Sequence, residues 1–533
     1  MKVGRLVAIA LALTGLLLPA SEGSSTAATS PYAAPVHDAP CGPGSHPESE
    51  QGRVSAADIA SGRAAQGYSC NTTQIAHLAM SGGFRVEKYQ DKAGHLCGYF
   101  DSTLIVGRDL LQQAQTGLGV YVVDMTNPAH PVLTATLTTP AMLSPHESLR
   151  VNAKRGLLAA DMGNPATAPG FVDVYDLTAD CRKPVLQSST PLGILGHESG
   201  FSPDGRTFYV SSAFGHSIDA IDLTNPRVPV LLWVTFAYVP HGLTVSDDGN
   251  RLYVANDGAI EYDPGGSGLL ILDVSQVQAR RVNPVVKEVS RLTWPEVSIP
   301  QIAIPMTIHG HRYLAEVDEF TSATVHPTTT VPMVGAARII DIQDEKKPFV
   351  VSNLRLAVNN LAYRGGSIDQ DPGQENIGQG YTAHYCSIPQ EVDPQIMACS
   401  YILSGLRVFD IHDPAHPKEI GYFNPPVLPG TKSGTPLTRE GSYAMSSPGY
   451  DLARHEIWYS DSNHGFYVVK LSAPPVRTQR VAQRHVPAPA PAAGHGGLAA
   501  TGLNPWAAAL GASCLLGVAL IRRRATRHVR VSR

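Results

Sequence analysis

The segment Gly119-Val-Tyr-Val-Val-Asp-Met-Thr-Asn-Pro-Ala-His-Pro-Val-Leu133 returns along the chain in altered form, and a chain made of such copies has few folds open to it. Further copies lie at 171–186, 217–231, 268–285, 337–350 and 405–420, with a shortened one at 465–471. Each is an alternating, largely β-branched run ending in Asp, followed by a polar turn that is Asn-Pro or Asp-Pro in the clearest copies, and a second short apolar run. Alternation with period two followed by turn chemistry reads as strand, turn, strand. The repeat aspartates are Asp124, Asp176, Asp222, Asp273, Asp341 and Asp410, with Lys470 in the seventh slot. Their spacing is that of propeller blades, which run to roughly 40–50 residues, stretched where loops are inserted.

Ahead of most copies stands another pair of alternating runs joined by a polar turn, clearest at 201–211 and 243–255, each with Asp-Gly at the turn. Two strands before each repeat segment and two within it make four. The expected architecture is all-β, a seven-bladed β-propeller of four-stranded blades; a β-solenoid would show shorter and more regular rungs. The seventh unit offers strands at 442–446, 456–460 and 466–471 but no fourth. An open edge invites aggregation. The run Phe84-Arg-Val-Glu-Lys-Tyr89 is the expected partner that closes the ring.

The ends carry addresses. Met1 to Ala20 has a basic start and an apolar stretch too short for a lasting membrane helix, which reads as a secretory signal peptide cleaved between Ala20 and Ala28. Near the other end, Leu498-Ala499-Ala500-Thr501-Gly502 precedes an apolar stretch and the cluster Arg522-Arg523-Arg524. That order resembles the LAxTG-type sorting signal of Gram-positive cell-wall proteins, actinobacterial in type. The resemblance implies a sortase cut between Thr501 and Gly502, with peptidoglycan as the acceptor. An uncut segment would serve as a single-pass membrane anchor. The stretch 472–497 is rich in Pro and Ala and reads as an extended wall-spanning linker. The layout is thus 1–28 signal peptide, 29–82 N-terminal extension with disulfide cysteines, 83–471 propeller, 472–497 linker and 498–533 sorting signal, in a chain secreted to the cell wall or cell surface.

A formal net charge of −4 with 16% charged residues points to no nucleic-acid or anionic-membrane surface. Of seven cysteines, Cys514 lies in the apolar tail. The remaining six are an even number in an exported chain and favour disulfides. Proximity suggests Cys386 with Cys399, and Cys70 with Cys97 flanking the expected closing strand, leaving Cys41 with Cys181.

The phrase Val120-Tyr-Val-Val-Asp124 with Asn127-Pro128 and His130-Pro131, repeated as Leu406-Arg-Val-Phe-Asp410 with Asp413-Pro414 and His416-Pro417, resembles the LVIVD repeat of bacterial and archaeal surface proteins. The resemblance spans about residues 95–471 and implies a β-propeller at the cell surface. It implies little about activity.

A second recurrence accompanies the first. Just before the first strand of several units stand His146-Glu147, His197-Glu198, His241, His309-Gly-His311 and His384. First strands line a propeller's channel, so equivalent positions would ring one mouth with imidazoles and carboxylates. Such donors suit zinc, copper, iron or nickel. Propeller enzymes of the selenium-binding protein and methanethiol oxidase type also place histidines around a channel, an analogy of fold only. Against this, a histidine at the start of a blade often hydrogen-bonds neighbouring strands, as in WD repeats, and repetition would copy it. The doublet His309-Gly-His311 exceeds what such a slot needs. Polar insertions at 257–268 and 369–381 are candidate binding loops. No Gly-x-Ser-x-Gly, P-loop or His-Glu-x-x-His occurs. Two functions stand: an extracellular scaffold that binds a protein, glycan or small-molecule ligand, and a metal-dependent enzyme with its site at the histidine mouth.

Overall fold

The computed structural model describes residues 34–472 apart from 81, 103–118, 162–169, 214, 259–265, 296, 322–333, 361–370, 372–378 and 428–440. The signal peptide, the linker, the sorting signal and Cys514 lie outside the described residues. Among those described, no helix is long and apolar enough to cross a membrane.

Each repeat aspartate closes a turn. Asp124 Oδ1 accepts the N–H two residues on, from Thr126 at 2.9 Å, and Asp176, Asp222, Asp273, Asp341 and Asp410 do the same with Thr178, Thr224, Ser275, Gln343 and His412 at 2.7–2.9 Å. This local bond lets Asp reverse the chain between third and fourth strands. The repeat signature is therefore scaffold chemistry.

The strands assemble as seven antiparallel sheets, spanning 86–137, 150–190, 198–235, 240–292, 299–353, 383–424 and 449–471, and these are the blades of a seven-bladed β-propeller. Apolar side chains facing the neighbouring blade form the core: Tyr99, Val122 and Leu158 pack together between blades 1 and 2, and Trp458, Phe466 and Phe100 between blades 7 and 1.

Ring closure differs from the expectation. Thr72–Leu78 pairs antiparallel with Gly465–Leu471 as the outermost strand of blade 7, whose first strand is Gly449–Asp451. The run containing Val86–Gln90 is instead the first strand of blade 1, paired with Leu96–Asp101. Just upstream, Tyr68–Cys70 adds a fifth strand to blade 6 by pairing with Lys418–Asn424. One short segment thus straddles two blades, turning at Asn71 with φ 53°. The chain needed one strand more than the sequence reading assigned it, so closure moved upstream.

The disulfides follow that geometry. Cys386 bonds Cys399 directly across the first two strands of blade 6, as expected. The other two expected pairings are wrong: Cys41 bonds Cys70, tying the extension to the fifth strand of blade 6, and Cys97 bonds Cys181, tying blade 1 to blade 2. Cys70 lies on an outer strand and Cys97 on an inner one of another blade, so nearness in sequence misled.

The two faces of the ring are unequal. First-to-second hairpins and the aspartate turns share one face. Second-to-third connections and blade-to-blade connections share the other, and the long ones, such as 102–119, 320–336 and 425–448, all leave from there. Residues that precede a first strand lie on this second face.

Candidate metal centre at the channel mouth

The loops that precede first strands are held by residues at the ends of second strands. Asp101 accepts the N–H of Phe84 at 2.8 Å, Asn256 that of Val239 at 3.3 Å, Asp318 that of Ser298 at 3.1 Å and Asp461 that of Tyr443 at 2.8 Å. Local backbone irregularity then aims the side chains. His241 and His384 are the extra residues of β-bulges, between Pro240 and Gly242 and between Ala383 and Tyr385. Bulges re-aim a side chain out of the strand's alternation. His146 takes φ 52°, a left-handed conformation that histidine tolerates better than most residues.

These devices bring three imidazoles and two carboxylates into a closed circuit. His197 Nε2 lies 3.1 Å from His241 Nε2. His241 Nε2 lies 3.0 Å from Glu319 Oε1, and Glu319 Oε2 lies 2.9 Å from His384 Nε2. His384 Nε2 is 3.3 Å from Glu147 Oε1, and Glu147 Oε2 is 3.3 Å from His197 Nε2, which closes it. A metal at 2.0–2.2 Å from each donor sets neighbouring donors about 2.8–3.6 Å apart, in octahedral or tetrahedral geometry alike. Every step of the circuit falls in that window, and within it Glu147, Glu319 and His384 offer ligand atoms all within 4.8 Å of one another, as do Glu147, His197 and the adjoining His146. All five residues are buried, His384 and Glu147 to 1% exposure.

Protonation follows the crowding. Burial alone would lower His241, but Glu319 and Glu147 outweigh it and raise it to about 10; His384, between the same carboxylates, rises to about 9. Burial alone would raise Glu319, yet His241 and His384 bring it down to about 2, and neighbouring imidazoles hold Glu147 well below the usual carboxylate range. His146, packed 4.2 Å from the His197 ring, is driven by burial down to about 3. The circuit therefore demands positive charge at its centre, as protons or as a metal ion.

A second layer lies beside it. Glu198 Oε1 accepts from Arg85 Nη1 at 3.1 Å and Arg150 Nη2 at 2.8 Å. Burial, together with Glu147, nevertheless lifts Glu198 to about 8 against the pull of Arg85. Arg85 and Arg150 also line a channel cavity of about 910 Å³ that includes the first-to-second hairpins of the opposite face.

The structure thus gathers His146, Glu147, His197, Glu198, His241 and His384, as their shared place before each first strand suggested. It does not gather His309 and His311. They cap the hairpin between Ile299–Ile308 and His311–Glu319, the far end of blade 5 and about 30 Å along the strand at 3.3 Å per residue. His309 donates its N–H to Asp393 at 2.7 Å, and His311 Nε2 lies 2.6 Å from Asp341 Oδ2. Blade 5 has unusually long inner strands, and its hairpin tip was misread as the start of a unit. From the other end of the same hairpin comes Glu319, which sequence reasoning missed. Aligning the ends of second strands finds the signal: Asp318 fills the loop-capping slot, and Glu319 follows as an extra acid. A separate cluster, Asp91, His95 and Asp180, is structural, since Asp91 accepts from His95, Ala93 and Cys181.

No family model matches the chain, and no curated protein does. Among solved structures, the hydrazine synthase of Kuenenia stuttgartiensis is similar at 14% identity and TM-score 0.44, over 75% of this chain and 98% of that one. A putative 6-phosphogluconolactonase from Bacteroides fragilis gives 10% and 0.40 over 67% and 91%, and a periplasmic gluconolactonase of Pseudomonas aeruginosa 14% and 0.39 over 67% and 93%. Likeness of this degree carries no argument about function. The β-propeller rests on the strand pairing itself.

Proposed function

We propose that this chain is a metal-dependent propeller whose metal ion is held at the channel mouth by His197, His241, His384, Glu147 and Glu319. The observation that carries the reading is at His384. Its Nδ1 lies 2.6 Å from the carbonyl of Met445, an acceptor only, so Nδ1 carries a proton. In the neutral ring Nε2 is then a bare lone pair, yet it faces two carboxylate oxygens at 2.9 and 3.3 Å. A lone pair against carboxylate is repulsive, so either a second proton on this ring or a metal ion lies between them; the backbone carbonyl that orients the imidazole, the usual support of a metal ligand, and the facing Nε2 atoms of His197 and His241 at 3.1 Å favour the metal. Two carboxylates and a divalent ion also cancel in charge, as a buried site requires.

Three imidazoles with two carboxylates suit zinc, iron, copper or nickel. Such an ion, when bound, supplies Lewis acidity toward water or a small substrate oxygen. The protein fixes the ligands through bulges and loop caps and surrounds them with Phe84 and Phe320, whose rings lie 5.6 Å from that of His384. The competing function, a scaffold that binds a protein, glycan or small molecule, draws on the long connections at the same face. The converging donors favour the metal reading.

Metal content decides between them. Purified protein loaded with zinc, iron, copper or nickel and then desalted retains about one equivalent of one of them per chain, and His197→Ala/His241→Ala retains none. Retention of no metal by the unaltered protein would remove the reading.

We also propose export and wall linkage through the LVIVD-like surface placement and the Leu498–Gly502 signal. Wall digests then release the chain ending at Thr501; recovery of all the protein with its C-terminal segment intact would sink this placement.

A further inference from the structure

A third bulge repeats the device that presents His241 and His384. It lies in the first strand of blade 5, between Pro300 and Ile302, and its extra residue is Gln301. Blade 5 stands between the blades that carry His241 and His384, so Gln301 holds the corresponding place in the ring, and the same blade sends in Glu319. Gln301 is 0% exposed, and neither its amide nitrogen nor its amide oxygen has a hydrogen-bond partner among the described residues. Leaving a buried amide unpaired forfeits its bonds to water with nothing in return, so such a group calls for a partner.

The backbone of Gln301 lies beside the candidate ligands. A Cβ built on Gly242, next to His241, would fall 2.2 Å from the Gln301 backbone carbonyl oxygen and 1.7 Å from Glu198 Oε2, so glycine alone lets these chains approach so closely. Glu198 Oε2 makes no hydrogen bond of ordinary length among the described residues, though the Tyr385 hydroxyl interacts with this carboxylate, and its other oxygen is taken by the two arginines. Glu198, Glu147 and His241 also present ligand atoms within 4.8 Å of one another. An amide is a far weaker ligand for these metals than an imidazole. At the bulge where blades 4 and 6 place a candidate ligand, blade 5 places a hydrogen-bonding group, its ligand Glu319 coming from the next strand.

We propose that Gln301 is a specificity-determining residue of the metal centre, whose amide hydrogen-bonds the exogenous ligand occupying the coordination position that blade 5 leaves open. The chemical class is a small molecule with a compact donor atom, such as water, azide or the oxygen of a carbonyl or hydroxyl group. The Gln301 amide N–H would donate to it and orient it; a water or hydroxyl ligand could also donate to Glu198 Oε2. This rests on the metal reading above.

The test uses the full chain loaded with cobalt(II) and titrated with azide, followed by the visible ligand-field bands. The unaltered protein shows a saturable shift. Gln301→Leu and Gln301→Met, close in volume and apolar, keep one equivalent of cobalt but bind azide at least about tenfold more weakly, the loss of one hydrogen bond to a charged ligand. Gln301→His keeps cobalt and loses the azide response, because a fourth imidazole fills the open position. Cobalt retained with azide affinity within about twofold in both apolar variants overturns the proposal while leaving the metal centre standing. Loss of cobalt from folded apolar variants also overturns it, since Gln301 would then be a ligand itself. No cobalt in the unaltered protein removes both readings together.

Discussion

Glu147→Gln lowers metal affinity by about 100-fold or more, because loss of even an outer partner of a metal ligand costs roughly 10–100-fold and this change strikes the ligand set itself. Glu147 spans the circuit, one oxygen 3.3 Å from His384 and the other 3.3 Å from His197. The amide matches the carboxylate in shape but removes its charge, so a divalent ion would stay buried with one charge uncompensated. Competition dialysis with a chelator reads the change directly, and an affinity within threefold of the unaltered protein would show that Glu147 is no ligand. The pH dependence adds a signature. With His241 raised to about 10 and His384 to about 9, both rings are protonated in the metal-free protein at neutral pH. Metal must displace those protons, so affinity rises with pH and levels off only above about 10. An affinity independent of pH between 6 and 9 would contradict this account.

Arg407→Met is expected to destabilise the fold by about 3–5 kcal/mol, the cost of breaking a buried ion pair from one side. Arg407 is 0% exposed. Its guanidinium donates to Glu48 at 2.8 and 2.6 Å, to Glu419 at 3.1 Å and to the Ser404 carbonyl at 3.0 Å, and it lies 4.5 Å from the Tyr422 ring centroid. Removing it strands two carboxylates in the interior, and burial has already pushed Glu419 up to about 7. Since Glu48 belongs to the N-terminal extension, the same change loosens that extension from blade 6. Urea unfolding gives the loss. Adding Glu48→Gln and Glu419→Gln to Arg407→Met restores most of it, because no charge is then left buried. A loss below about 1 kcal/mol for the single change would mean that water reaches these groups in solution.

What the sequence revealed of the ring and of its centre follows from the range of the forces involved. The aspartate turns are local, each carboxylate bonding two residues ahead, so Asp124 and its copies were legible and gave the blade count. The histidines before first strands were legible for a related reason: His146, His197, His241 and His384 hold one place relative to that repeat. Gln301 was not, because its bulge is set by pairing with the next strand and glutamine there breaks the histidine series; Glu319 was missed because it stands at the end of a second strand, one residue past the capping slot, and not ahead of a first strand. His309 and His311 misled where long strands shifted the frame. Closure by Thr72–Leu78 was missed because an edge strand alternates only weakly, and Val86–Gln90 looked free until its partner was known.

The segment that straddles blades 6 and 7 bears on the order in which the molecule can form. Thr72 pairs with Leu471, so one of the earliest strands made waits for the last. Until then blade 7 lacks its outer strand, and a contact between residues at opposite ends of the described chain is the one that locks the ring. Such pairing carries the full entropy of closing a long loop and is slow. The Cys41–Cys70 bond joins residues only 29 apart and needs no such wait, so the extension can be tied down as a small folded clasp before the ring exists to receive it. The proposed metal centre draws its candidate donors from blades 2 to 6, with His384 oriented by Met445 just ahead of blade 7, so none of those donors sits on the strand added last.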